Sequence, residues 1–258
     1  MKALKTLVLL TFAASPVLTA SAATLTLTAL DDTYLRASVS DSNFGGHTQV
    51  LAGTLGNSGL HALFRFNLNQ AALSGATITS ATLKLYSDGN DSGSLASATL
   101  NLFQLAAANA GWVEGTGAGS TGEVLTGVAT WNHQVRSTTP WAGTAGASTP
   151  GTDYINTSLG SFTGNPQTIT AGTEMNFTSG AFAGAVAGNI GGALNLWVGS
   201  PEQESGSRNF FRIATVENAT VANHPTLIIE YTPIPEPSAT LMFAGALGLL
   251  ASRRRSRS

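Results

Sequence analysis

Acidic side chains are the groups best suited to chemistry in this sequence, and they are scattered through polar, glycine-rich segments. Two carboxylates can act as a general acid and a general base, but they must converge in space. The candidates are Asp31, Asp32, Asp88, Asp91, Glu114 and Glu123. None lies in a G-x-S-x-G or H-E-x-x-H motif, and the four histidines at 47, 61, 133 and 224 are far apart. We therefore predict no catalytic residues and expect these acids to be solvated loop residues.

Two acidic segments have the oxygen-rich composition that calcium prefers. Residues 88–93 read D-G-N-D-S-G, which is similar to the beginning of a calcium loop. The twelfth position is Thr99 instead of a glutamate, so a hairpin turn after the preceding strand is the favoured interpretation. A structural calcium ion near Asp31 and Asp32 is a further hypothesis, and the sequence identifies no complete set of metal ligands.

Aromatic rings are the remaining candidates, because they can stack on the faces of sugar rings. The pool consists of Tyr34, Trp112, Trp131, Trp141, Tyr154 and Trp197. Trp141 and Tyr154 lie in an irregular segment, so we predict that these two rings are exposed and contact carbohydrate. The alternative is that most of these rings pack in the core or anchor loops.

Alternating apolar and polar residues predict the strands that position these groups. Such runs include Leu25 and Leu27; Phe64, Phe66 and Leu68; Leu83 and Leu85; Leu100 and Leu102; Leu194, Leu196 and Val198; and Leu227, Ile229 and Tyr231. A period of two indicates strands with one buried face. Residues 181–191 have a weak helical pattern, and residues 143–167 are expected to form a long surface loop or irregular crossover. The fold prediction is an all-β, two-sheet antiparallel β-sandwich, most simply a jelly roll.

Several short motifs follow one another along this body. They are Asp32-Thr33-Tyr34-Leu35-Arg36, Asn43-Phe44-Gly45-Gly46, the run from Gly75 to Tyr86, Trp112-Val113-Glu114-Gly115, Thr130-Trp131-Asn132, and the run from His224 to Tyr231. The succession resembles the DNRLRE domain, a β-sandwich related to a carbohydrate-binding module family, over about residues 29–232. The motif that gives that family its name is replaced here by Leu63-Phe64-Arg65-Phe66. The resemblance implies polysaccharide binding and a structural role for Trp131.

The N-terminus has the three parts of a secretory signal peptide. Lys2 and Lys5 precede an apolar run at residues 7–14, and the small residues Ala20 and Ala22 follow it. This order predicts export, with signal peptidase cutting after Ala22 or Ala23.

The C-terminus carries a second three-part signal. Pro235, Glu236 and Pro237 precede an apolar run at residues 239–251, and four arginines follow it between 253 and 257. The apolar run is expected to form a short single transmembrane helix, which suits transient insertion in the inner membrane better than permanent anchoring. A C-terminal helix packed on the body is the alternative. The three-part order resembles the PEP-CTERM sorting signal of Gram-negative bacteria, which implies processing by an exosortase and delivery to the cell surface or extracellular matrix.

The charges and the absence of cysteine constrain the possible partners. Six of the 12 basic residues lie at the two ends, whereas all 14 acidic residues lie between 23 and 237, so the body is acidic. An acidic body argues against nucleic acid as a partner. The chain has no cysteine, so disulfides cannot stabilise it.

These observations divide the chain into a signal peptide at 1–22, a β-sandwich domain at 23–233 and a sorting signal at 234–258. The leading functional hypothesis is a non-catalytic surface or matrix protein that binds or organises exopolysaccharide. The first alternative is a structural or adhesive protein that acts through protein–protein contacts. The second is a polysaccharide lyase or hydrolase, which has the least support.

Overall fold

The computed structural model describes residues 21–200 and 208–234. The apolar runs of both predicted signals, Ala20 and the Pro235-Glu236-Pro237 motif lie outside the described residues. Within the described ranges, no helix is both long enough and apolar enough to span a membrane. The described residues between 22 and 233 form one compact unit.

The regular secondary structure of the described residues is mostly β-strand. The strands are β1 Ala23–Thr28, β2 Asp31–Arg36, β3 Gln49–Leu55, β4 Ser58–Asn67, β5 Thr77–Tyr86, β6 Ala98–Gln104, β7 His133–Val135, β8 Thr139–Pro140, β9 Gly160–Gly164, β10 Glu174–Thr178, β11 Ala193–Gly199, β12 Arg208–Ala214 and β13 Thr226–Thr232. One α-helix, α1, spans Gly180–Gly188. It covers most of the weak helical pattern seen in the sequence, and the side chain of Ser179 caps it by accepting a hydrogen bond from the backbone N–H of Phe182 at 3.1 Å.

The strands form two principal antiparallel sheets. The smaller sheet has the order β1-β13-β5-β10, and the larger has the order β12-β3-β4-β11-β6-β9, with β2 also paired to β4. In the smaller sheet the first strand pairs with the last, so that Ala23 lies opposite Tyr231. The predicted sandwich-like, antiparallel β-fold is confirmed, whereas the finer jelly-roll assignment stays a prediction.

The main core lies between the two sheets. It contains the predicted apolar faces of β4, β5, β6, β11 and β13, and α1 adds Phe182 and Val186 to it. The alternation seen in the sequence therefore follows from strands that each turn one face toward the opposite sheet.

A third layer covers the outer face of the larger sheet. We call residues 105–159 the covering segment; it is irregular apart from one 3-10 turn at Ala107–Asn109 and the short ribbon of β7 and β8. A second apolar cluster lies between this segment and the sheet, and it contains Leu35, Leu63, Phe103, Leu105, Trp112, Ala129, Trp141, Ala147, Tyr154 and Trp197. The expectation of a surface loop at 143–167 is therefore wrong in two respects: part of that stretch packs on the sheet, and part of it is β9.

The covering segment is held together by a buried carboxylate. Asp153 is fully buried and accepts hydrogen bonds from the backbone N–H groups of Gly143, Thr144 and Thr149 at 2.8 to 2.9 Å. The side-chain amide of Asn109 donates a fourth at 2.8 Å. Burial tends to raise the pKa of Asp153, but these hydrogen bonds outweigh it and lower that pKa below its usual value. Short polar contacts therefore fix a stretch that has almost no regular secondary structure.

Candidate functional site

Three carboxylates from distant parts of the sequence meet beside β2. Asp32 lies on β2, Glu114 lies in the covering segment, and Glu217 lies in the turn after β12. One side-chain oxygen from each lies within 4.8 Å of the others. We call these residues the carboxylate cluster. Across the described ranges it is the one group of three or more acidic or histidine side chains close enough to share a metal ion.

The backbone holds two members of the cluster in place. The N–H of Asp32 donates a hydrogen bond to Oε1 of Glu114 at 2.5 Å, and the N–H of Val216 donates one to Oδ2 of Asp32 at 2.9 Å. Oδ1 of Asp32 is buried and has no hydrogen-bond partner. Asp32 is therefore a buried carboxylate with one satisfied and one unsatisfied oxygen.

The surroundings disfavour ionisation of all three carboxyl groups. Burial raises the pKa of Asp32 well above its usual value, although the N–H of Val216 partly opposes this rise. Burial also raises the pKa of Glu114 to about 7, and repulsion from neighbouring carboxylates adds to that rise. The pKa of Glu217 is raised too, chiefly by desolvation. A nearby cation would favour the ionised form of each group.

Asp31 does not join its neighbour in the cluster. Its carboxylate forms an ion pair with the guanidinium of Arg65 at 2.6 Å. The same guanidinium lies over the ring of Trp112, 4.3 Å from its centre, and donates a hydrogen bond to Oδ1 of Asn195. Of the two aspartates named in the calcium hypothesis, only Asp32 lies in a group that could hold a metal.

The second acidic segment, residues 88–93, has a different role from either expectation. It lies between β5 of the smaller sheet and β6 of the larger sheet, so it crosses between sheets and is not a hairpin turn. Asp91 pairs with Arg208 at 2.6 Å and with Arg212 at 3.4 Å, and it accepts a hydrogen bond from Ser94. Both oxygens of Asp91 therefore bind protein groups, and its contacts link the crossover to β12.

The predicted exposure of Trp141 and Tyr154 is wrong. Each side chain is only 4% exposed, because both rings fill the space between the covering segment and the larger sheet. Nε1 of Trp141 donates to the backbone oxygen of Thr130 at 3.0 Å, and the Tyr154 ring stacks on Trp197 with centres 4.9 Å apart. Both rings follow the alternative interpretation, in which they anchor a loop.

Trp131 and His61 continue this packing. Trp131 is half-buried, and its ring centre lies 5.1 Å from that of the fully enclosed His61. Burial lowers the pKa of His61 to about 4, although a hydrogen-bonding contact with the backbone oxygen of Gly146 at 2.7 Å opposes the change. His61 is therefore a neutral packing residue at physiological pH, and it takes no part in the carboxylate cluster.

A second polar surface is the outward face of the smaller sheet, which we call the open face. The strand register places these side chains on it in rows: Thr24, Thr26 and Thr28 from β1; Thr226, Ile228 and Glu230 from β13; Ser80, Thr82, Lys84 and Tyr86 from β5; and Glu174, Asn176 and Thr178 from β10. Each is exposed or half-buried, in contrast to the covered outer face of the larger sheet. The open face is therefore a continuous polar surface on rigid strands.

Tyr86 is the aromatic side chain of the open face. It lies opposite Glu174 in the register, and Lys84 on the same strand pairs with Glu174 at 3.0 Å. The ring is half-buried, so part of it faces solvent. A partly exposed ring beside charged and hydroxyl groups is suited to a sugar, which offers an apolar face and a rim of hydroxyl groups.

The structure also contains a cleft of about 320 Å³ between the end of β2 and the β3–β4 turn. Its lining residues are Ala37, Ser38, Leu55, Asn57 and Ser58. The lining has no aromatic or charged side chain, so the cleft is a weaker candidate than the open face.

Two of the relevant residues were not found by sequence reasoning. Glu217 is an acidic residue in a turn, and nothing local in the sequence places it beside residue 32. Tyr86 ends an alternating run that predicts a strand and contributes to the DNRLRE resemblance, but neither assigns the ring to a binding surface; its outward position follows from the fact that Leu83 and Leu85 face the core.

Comparison with known proteins gives one family match. The model of carbohydrate-binding module family 96 matches residues 23–155, which is about half of the chain. The matched range contains β1 to β6, most of the covering segment, Tyr86 and two members of the carboxylate cluster. A comparison with curated proteins finds no match. The chain therefore belongs to carbohydrate-binding module family 96.

Proposed function

We propose that the protein is an exported, non-catalytic polysaccharide-binding protein that acts at the cell surface or in the extracellular matrix. The family match over residues 23–155 is the observation that carries this proposal. Modules of this kind bind a sugar polymer without cleaving it. In agreement with this role, the carboxylates of Asp31 and Asp91 form ion pairs with arginine side chains and are therefore not free to act as a general acid or base.

The open face is the surface that we assign to the polymer. A polysaccharide chain is long and presents repeated hydroxyl groups, so it needs an extended surface with regularly spaced polar side chains. The threonines of β1 and the Lys84–Glu174 pair provide such groups, and Tyr86 provides a ring on which a sugar can stack. The outer face of the larger sheet cannot serve in the same way, because the covering segment occupies it.

Binding to a panel of soluble neutral and uronic-acid-containing polysaccharides tests this proposal. We expect the purified full chain to be retarded in gels that contain at least one of them. Changing Tyr86 to alanine should weaken that binding about tenfold, in the range of single aromatic contacts at binding surfaces. Tyr86→Phe is the matched control, since it keeps the ring and loses only the hydroxyl, and it should keep most of the affinity.

Four results would count against the proposal. No retardation by any polysaccharide would reject binding. Equal affinity of the Tyr86→Ala variant and the unchanged protein would move the site away from the open face. Concentration-dependent assembly in light scattering without polysaccharide binding would favour the structural or adhesive alternative, and release of products from the polymer would favour an enzyme.

The proposed destination rests on the two terminal signals. Lys2, Lys5 and the small residues up to Ala22 support cleavage by signal peptidase, and the Pro235-Glu236-Pro237 motif with its arginine-rich end supports cleavage by an exosortase. The resemblance to PEP-CTERM proteins supports a Gram-negative bacterial source and an exopolysaccharide as the ligand. Mass spectrometry of the secreted form should show a chain without the four terminal arginines. An intact C-terminus on that form would reject the sorting proposal.

A further inference from the structure

We propose that Asp32, Glu114 and Glu217 bind one Ca²⁺ ion, which fastens the covering segment and the turn after β12 to β2. This site is separate from the open face, and its test needs no polysaccharide. The proposal therefore stands or falls independently of the proposed function.

The spacing of the oxygens fits calcium. Calcium binds oxygen ligands at about 2.3–2.6 Å, so two ligands of one ion can be separated by up to about 5 Å. The three carboxylates offer oxygens that all lie within 4.8 Å of one another. Magnesium binds at about 2.0–2.1 Å and demands near-ideal octahedral geometry, so it needs a tighter arrangement.

The unsatisfied oxygen of Asp32 is an independent observation that points to a ligand. Buried polar atoms in proteins are nearly always paired, because an unpaired one loses its water without compensation. Asp32 is 0% exposed, and its Oδ1 has no hydrogen-bond partner, whereas Oδ2 accepts from Val216. A cation bound within the cluster supplies the missing partner.

The ligand chemistry points to a hard divalent cation. All three groups offer carboxylate oxygen, and none is a histidine nitrogen or a cysteine sulfur, which zinc and copper prefer. Asp31 is not a further ligand, since its charge is paired with Arg65. Glu217 is exposed, so the cluster is open to solvent on that side and water can complete the coordination.

The proposed ion would connect three segments that are far apart in the sequence. Glu114 lies two residues after Trp112, which packs in the cluster beneath the covering segment, and Glu217 lies in the turn before β13. Calcium would thus provide a cross-link in a chain that has no cysteine. We expect its main effect to be on the stability and order of the covering segment.

Isothermal titration of the full chain with CaCl2, after treatment with a chelator, tests the site. We expect one bound ion per chain, with a dissociation constant of about 1 mM or lower, as in extracellular calcium modules. Glu217→Gln should weaken binding at least tenfold. This variant is the most informative one, because Glu217 is exposed and the substitution leaves the core intact. Asp32→Asn should abolish binding, with circular dichroism as the check on its fold.

Glu230→Gln is the matched control. It removes the same charge from the same residue type, but Glu230 lies on the open face and outside the carboxylate cluster. Calcium should bind to this variant as to the unchanged protein, and it should raise the melting temperature of both. No binding at millimolar calcium would overturn the proposal, and so would binding that Glu217→Gln leaves unchanged. Magnesium binding as tight as calcium binding would overturn the assignment of the ion.

Discussion

Replacing Asp153 by asparagine tests whether the covering segment is a true structural layer. Asp153 is fully buried and accepts four hydrogen bonds, three of them from backbone N–H groups. A hydrogen bond to a charged acceptor contributes about 1.5–3 kcal/mol, and a buried donor left without an acceptor costs about 1–3 kcal/mol. Asparagine keeps one acceptor oxygen. Its NH2 group takes the place of the second carboxylate oxygen and cannot accept hydrogen bonds from the N–H groups that face it.

The four contacts share one side chain, so their contributions are not additive. Two N–H groups, those of Thr144 and Thr149, lose their acceptor if the amide oxygen replaces Oδ1. We therefore expect Asp153→Asn to lower the free energy of unfolding by about 3–5 kcal/mol, a large fraction of the stability of an ordinary domain. Urea unfolding followed by tryptophan fluorescence measures this loss, and Trp141 and Trp197 report on the covering segment itself.

Asp41→Asn is the control for this experiment. Asp41 is exposed and accepts one side-chain hydrogen bond, from Asn132 at 3.1 Å, so its replacement should change stability by less than about 1 kcal/mol.

The pH dependence of stability gives a second measurement. The folded pKa of Asp153 is lowered, so its contribution is complete above about pH 4 and is lost as pH falls through the folded value. The reasoning is refuted if Asp153→Asn costs no more than Asp41→Asn, or if the variant shows the same loss of stability in acid as the unchanged protein.

Three further predictions concern neighbouring contacts. Gly146→Ala should destabilise the protein by about 1–3 kcal/mol in urea, because φ is +78° there and a Cβ would come within 2.5 Å of the Trp131 ring; a neutral result would contradict that packing. Asp91→Asn should cost about 1–3 kcal/mol by the same assay, since it weakens a pair with Arg208 and leaves positive charge unbalanced; unchanged stability would show that the pair contributes nothing. Trp141→Ala should cost about 3–5 kcal/mol and leave polysaccharide affinity per folded molecule unchanged, because the ring is buried; reduced affinity with full stability would show that the ring meets the ligand.

The strands could be predicted from the sequence because their signal is local. Leu83 and Leu85 alternate with polar neighbours, and β5 forms there with those two residues in the core. In β4 the predicted polar face also carries Leu63 and His61, both of which are buried. The sequence analysis predicted one buried face for each strand and therefore missed the burial of this second face of β4.

The largest error of the sequence-based prediction concerns the covering segment, and it has a physical reason. Its residues are mostly glycine, serine, threonine and alanine, a composition typical of solvated loops. It is ordered instead by a few large side chains, such as Trp112 and Trp141, and by the carboxylate of Asp153. These stabilising side chains are few and do not recur at a regular spacing in the sequence. An analysis based on hydrophobic periodicity therefore predicts exposed rings where the rings are buried.

The carboxylate cluster could not be predicted from the sequence, for a different reason. The sequence offers Asp32 and Glu114 among its candidate acids, but Glu217 lies in a turn near the other end of the domain. The three carboxylates come close together only because the turn after β12 and the covering segment both lie beside β2. Only the tertiary structure reports such a contact, because no local pattern couples residues so distant in the chain.

The pairing of β1 with β13 has a consequence for how the protein folds. The smaller sheet cannot close until residues near 231 are available to residues near 23, so the chain must be almost complete before its native topology exists. Contacts between residues so far apart in the sequence make folding slow. The chain loses conformational entropy when its ends come together, and only then do the strand contacts stabilise the sheet. The native topology is therefore completed only after almost the whole domain has been synthesised, and the pairing of β1 with β13 follows the synthesis of residue 231.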